Sequence, residues 1–248
     1  MKKFSNLYIF SFASALVIIV AALLSFVSEE LKPLQERNVE VEIKKGILQS
    51  VNMTDGLDEA DNKTAFVESQ FKKYITNSIV LNSKGEVTEG RDAFEITKDL
   101  KTEFEQPVEE RGLPLFIFTG PDGQKKFIIP VRGKGLWGPI WGYVALNDDY
   151  NTIFGTLFDN EEETPGLGAE ISEKWFQAEF SGKKLFNETG DFVSIEVVKG
   201  GTSPDNPHGV DAVSGGTITS KGLQNMLMDS IGPYVTYLKN QMKKGGQI

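Results

Sequence analysis

The chain has 248 residues, 26 Lys plus Arg against 35 Asp plus Glu, one His and no Cys. Its formal net charge is −9 at pH 7 and its sequence pI is about 4.9. These numbers exclude disulfides, thiolate metal ligands and cysteine-held iron–sulfur clusters. They also exclude a His-rich metal centre and argue against nucleic acid or an anionic lipid surface as partner.

Leu7 to Val27 runs without a charge. At about 1.5 Å per residue a helix of that length reaches roughly 30 Å, the hydrocarbon thickness of a bilayer. Lys2 and Lys3 precede it and Glu29 and Glu30 follow, which by the positive-inside rule places the N-terminus in the cytoplasm and the remainder outside. A cleaved signal peptide has a shorter apolar stretch and a small-x-small site. Ser25-Phe26-Val27-Ser28 offers no such site, so residues 1–30 read as a cytoplasmic tip and an uncleaved anchor. Residues 31–55 read as a separate juxtamembrane helix. Val39, Ile43, Ile47 and Val51 recur at every fourth position, and Pro33 suits a first helical turn.

The remainder, 56–248, is long enough for one sizeable core. Asp55 to Lys63 is polar and reads as a loop. Glu89 to Glu105, charged with Phe94, Ile96, Leu100 and Phe104 interspersed, predicts a surface helix. Strands are expected over 114–119 and 126–131, joined by the hairpin turn Gly120-Pro-Asp-Gly123. Further strands are expected over 140–146 and 192–198, with a short helix over Ser172–Phe180. Strands in runs, rather than in strict alternation with helices, make the class α+β, a single transmembrane helix followed by one mixed domain. Leu223, Met226, Leu227, Ser230, Ile231, Tyr234, Val235 and Leu238 form one apolar helical stripe. Gly232-Pro233 should interrupt it, and Lys239, Lys243 and Lys244 suit its C-terminal dipole.

Three segments carry chemistry. His208 to Gly222 places Ser214, Thr217, Thr219 and Ser220 around the Gly215-Gly216 pair, just before the apolar stripe. Unpartnered N–H groups at a helix start attract phosphate, although Thr219 or Ser220 could equally be an ordinary N-cap. Glu163-Thr-Pro-Gly-Leu-Gly168 is a Pro-Gly turn of type II character. Arg132-Gly-Lys-Gly-Leu-Trp-Gly138 sets a tryptophan between glycines, a common core anchor. An anchored hydrolase with Thr217 or Ser214 as nucleophile needs a base and an oxyanion hole. One His and no Gly-x-Ser-x-Gly elbow argue against it.

Asp211-x-x-Ser214-Gly215-Gly216-Thr217 resembles the flavinylation motif of the FMN-binding domain family, in which an acidic residue precedes Ser/Thr-Gly-Ala-Thr. The resemblance implies FMN held covalently by a phosphoester to Thr217, with Asp211, Ser214, Gly215, Gly216 and Thr219 around it. Gly216 stands where the family usually has Ala. Glu163-Thr-Pro-Gly-Leu-Gly168 and the Gly-x-Gly-Leu-Trp run are similar to two further hallmarks of the family. They imply a polar contact from Thr164, ring coverage by Leu167, and close approach at Gly166 and Gly168. Leu136 and Trp137 would border the isoalloxazine and Lys134 would add positive charge. His208 is expected to be a loop hydrogen-bonder. Within the family, Leu31 to Asn38, Gly46 to Leu48, Ile128 to Trp137 and Asp148 to Ile153 resemble the NqrC branch, which serves sodium-translocating NADH:quinone reductases. The counterpart of that branch in the ferredoxin:NAD oxidoreductase (Rnf) complex is the second reading, with a free-standing periplasmic flavin carrier or sensor behind it. The resemblance implies an inner-membrane electron-transfer protein that relays electrons from NADH toward ubiquinone, coupled to sodium export. NADH binding, catalytic residues and metal ligands of its own are not expected. Its implied partners are the other membrane subunits and a flavin transferase that uses FAD and a divalent metal and releases AMP.

Overall fold

The computed structural model describes residues 5–245. Lys2 and Lys3, on which the expected orientation of the anchor rests, lie outside that range. The chain divides into two compact units, Met1–Glu42 and Ile43–Ile248.

The first unit is the greater part of one helix, α1 (Asn6–Ser50). Among the described residues it is the one helix long and apolar enough to cross a membrane, and none of that stretch is buried in protein. The anchor and the juxtamembrane segment are continuous, which corrects the expectation of two helices. Pro33 lies inside α1 rather than in a first turn, at the cost of one i to i−4 bond. The expected stripe also divides. Val39 is exposed, whereas Ile47 and Val51 are core residues of the second unit. The helix stops at Ser50, not at 55. Asn52 then takes a left-handed φ of 56° and turns the chain.

The second unit is built on a five-stranded antiparallel sheet in the order β1 (Ile75–Leu81), β2 (Leu113–Thr119), β3 (Lys125–Lys134), β4 (Pro139–Leu146) and β5 (Ile153–Asn160). Both faces are covered, so the strands read as apolar runs rather than as strict alternation. In β3, Phe127, Ile129 and Val131 belong to one core and Ile128 to the other. Pro130 is tolerated there because β2 pairs with β3 only as far as Ile128, which leaves one side of β3 without a ladder to break.

One face packs on the end of α1, on α2 (Lys63–Tyr74), and on α3 (Ala93–Lys98) and α4 (Leu100–Glu105). The expected single surface helix over 89–105 is thus two short helices. Asp92 caps α3, and Asp99 caps α4, accepting from Thr102 N–H at 3.4 Å. Ile96 and Leu100 are buried rather than superficial. The other face carries α5 (Lys174–Ala178), β6 (Glu196–Val198) parallel to β7 (Gly209–Asp211), α6 (Thr217–Ile231) and α7 (Val235–Gly245). The strand expected over 192–198 shrinks to its last three residues. Ser194 sits at φ 59°, which breaks the extended run. Gly232-Pro233 interrupts the C-terminal stripe as expected, as a 3-10 turn between α6 and α7.

The placement of α6 is what positions the site. It lies along the end of β3, and Ser230 Oγ bonds both Arg132 N–H and Arg132 C=O at 3.2 Å. At Gly222 the helix comes so close that a Cβ would overlap the Lys134 carbonyl oxygen. Its own Leu223, Leu227 and Ile231 are fully buried, as is Leu238 of α7.

Candidate functional site

Three loops meet at the start of α6. They are the β3–β4 hairpin at 135–138, the loop 163–168 after β5, and the turn 213–216 that leads into the helix. Together they line a cleft of about 240 Å³ formed by Leu136, Trp137, Glu163, Thr164, Leu167, Gly168, Gly215, Gly216, Thr217, Ile218 and Thr219. Its rim is apolar and open to solvent. Leu136 is 43% exposed, Trp137 63%, Leu167 43% and Ile218 59%. Four large apolar side chains left in water around one polar floor mark a binding surface rather than a scatter of surface hydrophobes.

The floor is a helix start without a cap. Thr217 is the first residue of α6, and Gly216, at the N-cap, provides no side-chain acceptor. Ser220 N–H bonds Gly216 C=O at 2.8 Å, while the N–H groups of Thr217, Ile218 and Thr219 find no acceptor among the described residues. Neither expected N-cap holds. Ser220 instead turns its hydroxyl to accept from Val213 N–H at 3.1 Å, and Thr219 Oγ1 donates to Glu163 Oε2 at 2.5 Å. Three open donors and the positive end of a helix dipole therefore meet at the first turn that begins with the exposed Thr217. Gly215 reaches the helix at φ 74° beneath Leu167, where a Cβ would press on the leucine side chain.

Glu163 holds the three loops together. It is 6% exposed and accepts from Trp137 N–H at 2.8 Å through Oε1 and from Thr219 Oγ1 through Oε2. Its own N–H bonds Asn160 Oδ1 at 3.0 Å. Gly135 and Gly168 flank the carboxylate, and a Cβ on either would overlap it. Sequence reasoning took Glu163 only as the first letter of a turn motif. The sequence signal that could have raised it is an acidic residue sharing one glycine-rich set with two otherwise unexplained glycines.

The remaining candidates fall elsewhere. Gly166, at φ 77°, lies at the exposed tip of its loop and donates to Glu170 Oε1 at 3.2 Å. Ser214 is exposed next to the cleft but is not part of its lining. Asp211 faces the 200–202 loop, accepting from Thr202 N–H at 2.7 Å. It acts as a brace behind the turn rather than as a wall of the cleft. His208 Nδ1 lies 2.6 Å from Lys184 C=O, a loop hydrogen bond as expected. Lys134 lines a different and larger cleft of about 810 Å³, on the other side of the hairpin, with Arg111, Arg132, Met226 and Met228. Gly133-Lys-Gly135-Leu-Trp-Gly138 spells the G-x-G-x-x-G spacing of dinucleotide sites. It occupies an antiparallel β3–β4 hairpin and opens no helix, so the physical basis of that motif is missing. No group of three or more His, Cys, Asp or Glu among the described residues could hold a metal ion.

An FMN-type group fits the cleft on these observations. Orphan donors stand where a phosphate would lie, with no competing side-chain cap, and apolar side chains stand where a ring would lie. The cleft, about 240 Å³, is smaller than the roughly 300–1,000 Å³ of pockets that engulf their ligands, so it would leave part of a flavin uncovered.

The sequence matches the family described as FMN-binding domain over residues 135–232, a segment that contains the whole cleft. The NqrC subunit of the Na(+)-translocating NADH-quinone reductase of Neisseria meningitidis serogroup B is 34% identical over 227 residues, which cover 87% of this chain and 86% of that protein. The crystal structure of the corresponding Na(+)-translocating NADH-quinone reductase protein from Parabacteroides distasonis is 40% identical, with a TM-score of 0.71 over 84% of this chain and 96% of that one. Shewanella oneidensis NqrC is 25% identical, with a TM-score of 0.67 over 82% of this chain and 99% of that one.

Proposed function

The chain belongs to the NqrC family of Na(+)-translocating NADH-quinone reductase subunits, and we propose that it is the electron-transfer subunit of such a reductase, with FMN on a phosphoester to Thr217. The observation that carries this reading is the uncapped start of α6. FMN, when bound, supplies the capacity to take up and release electrons one at a time.

The chain's own residues hold and orient it. The N–H groups of Thr217, Ile218 and Thr219 receive the phosphate, and the helix dipole favours its charge. Leu136, Trp137, Leu167 and Ile218 would provide the apolar contact for the ring. Glu163 orders the loops that carry these contacts. Thr164 contributes a polar contact from the exposed loop. Ser214 and Asp211 shape the turn, and Gly166 and Gly168 let loop 163–168 approach. A phosphoester prevents loss of the cofactor by dilution outside the cell. That matters for a domain that α1 holds on the periplasmic face of the inner membrane. Attachment falls to a separate flavin transferase. NADH oxidation and sodium translocation fall to neighbouring membrane subunits.

The test is Thr217→Ala, co-expressed with a flavin transferase. The parent band should fluoresce on a denaturing gel, with the FMN mass on the peptide that holds Thr217. The variant band should be dark while its circular dichroism stays that of the parent. Thr217 is exposed, so its loss should change stability by no more than about 0.5 kcal/mol. A fluorescent variant band would overturn the assignment.

A further inference from the structure

The larger cleft belongs to no function described so far. It runs beside α6, from Gly222 toward Pro233, and its opposite wall includes Phe104, Val108 and Arg111. We propose that it is the docking groove for an acidic segment of a neighbouring membrane subunit. The proposal rests on the flavin reading above, because the place of the groove beside Thr217 gives docking its use.

Position is the first argument. The groove and the flavin cleft share their two supports. Lys134 precedes Leu136 on one hairpin, and Gly222 follows Thr217 on one helix, about 8 Å along its axis at 1.5 Å per residue. A chain seated in the groove is thereby brought beside the exposed rim of the flavin cleft.

Charge is the second. In a chain of net charge −9, this groove gathers three cations, Arg111, Arg132 and Lys134, against one carboxylate, Asp229. Arg111 is fixed in place, donating through Nε to Gln106 C=O at 2.8 Å and through Nη2 to Phe104 C=O at 2.7 Å. Its guanidinium lies 5.0 Å from the Phe104 ring centre. Neither Arg132 nor Lys134 has an ion pair among the described residues. Cations left unpaired on an acidic protein select a negative partner.

Composition is the third. Met228, Phe104 and the arginines are residue types enriched at protein interfaces, and methionine adapts its shape to a partner. Met228 is 41% exposed and Val108 39%, which leaves apolar area uncovered. Arg111 and Arg132 are both partly buried. Two of the three cations are therefore recessed in a cleft, which suits an inserted acidic side chain better than a flat layer of lipid headgroups.

The experiment titrates the full chain, with flavin attached and in detergent, against the reductase purified from cells that lack this subunit. Arg132→Glu combined with Lys134→Glu should weaken binding by about ten-fold or more at low ionic strength and flatten its salt dependence. Lys134→Glu alone, on an exposed side chain, guards against a folding defect and should give part of the loss. A control reversal of exposed charges remote from the groove, Lys72→Glu with Lys125→Glu, should stay within about two-fold of the parent. Parental affinity in the groove variants, or an equal loss in the control, would overturn the proposal. A photo-crosslinking group at Met228 should mark an Asp- or Glu-bearing segment of another subunit; crosslinks to lipid alone would also overturn it. Gel fluorescence of the same samples keeps the two readings apart. A dark parent band refutes the Thr217 assignment, and the titration judges the groove.

Discussion

Replacing Glu163 with alanine removes two acceptors at once, and their surroundings set the cost. Thr219 is 1% exposed, so a hydroxyl stripped of the carboxylate has no water to turn to. An unpaired buried donor costs about 1–3 kcal/mol, and its share is about 2. Trp137 belongs to an open rim and is 63% exposed. Water reaches its N–H more readily, and its share is about 1 kcal/mol. The sum, about 3 kcal/mol, corresponds to a fall in Tm of roughly 6–12 °C for a folded unit of this size. Glu163→Gln provides the contrast. Its carbonyl still accepts from Trp137 N–H, and its amide donates to the Thr219 hydroxyl, which accepts as readily as it donates. That variant still leaves the Thr219 hydroxyl hydrogen without its acceptor but keeps the Trp137 bond, about 2 kcal/mol or roughly 4–8 °C. Thermal unfolding of the full chain in detergent, followed by near-ultraviolet circular dichroism, measures both. Flavin incorporation, scored on the same preparations, should fall in the order parent, Gln, Ala. An alanine variant that melts within about 2 °C of the parent, or one no worse than the glutamine variant, would refute the claim that this carboxylate ties the loops.

Gly222→Ala should destabilise by about 1–3 kcal/mol in urea unfolding. Alanine normally improves a helix interior by about 1 kcal/mol, but here its methyl meets the Lys134 carbonyl. A stabilised variant would mean that α6 and β3 are not in contact at that point. Leu167→Asp should keep the flavin band on a denaturing gel while shifting the redox midpoint and the fluorescence yield, because Leu167 lines the cleft and is not the residue proposed to carry the flavin. An unchanged redox titration would remove it from the site. In alkali, burial raises Tyr143 and Tyr234 above their ordinary range. Burial first, then Tyr237 and Asp148, pushes Tyr150 up to about 12, and burial raises Tyr237. Each holds its proton in the folded state after the unfolded chain has released it near pH 10. Their stabilisation is therefore complete below about pH 10 and is lost as pH rises through the folded values. Urea unfolding of the flavin-free chain should show stability falling between pH 10 and 12, with these phenolates appearing together with unfolding. Their smooth ionisation while the chain stays folded would refute it.

Elements whose sidedness is local were legible in the sequence. The hairpin of β2 and β3 announces itself through Gly120-Pro-Asp-Gly123 between two apolar runs, and the stripe of α6 and α7 breaks at Gly232-Pro233 as the missing proline N–H requires. The elements not foreseen have mixed or weak patterns. The segment Ile75–Leu81 carries exposed Thr-Asn-Ser near its start because it is the edge strand of the sheet. The β5 strand contains Gly155, which the close approach of the Ser50 carbonyl demands. The helix α2 is short and polar enough to pass for a loop. Each takes its form from what packs on it, and that lies far away in sequence.

The same division runs through the site. Thr217, Gly215, Leu167 and Trp137 stand in local patterns that ordinary folding does not need, hydroxyls around a glycine pair and large apolar side chains beside glycines, so motifs alone bring them forward as candidates. Glu163 is of a different kind. Its two partners lie 26 and 56 residues away, and a glutamate before a Pro-Gly turn looks like any solvent-facing acid until the loops close over it. Gly135 and Gly168 are the trace it leaves in the sequence, positions where only the absent Cβ makes room for a carboxylate. Lys134 shows the converse. It belongs to a run that resembles a flavin motif, yet together with Arg132 and Gly133 it lines the other cleft. A residue can sit in a cofactor motif and serve the surface next door.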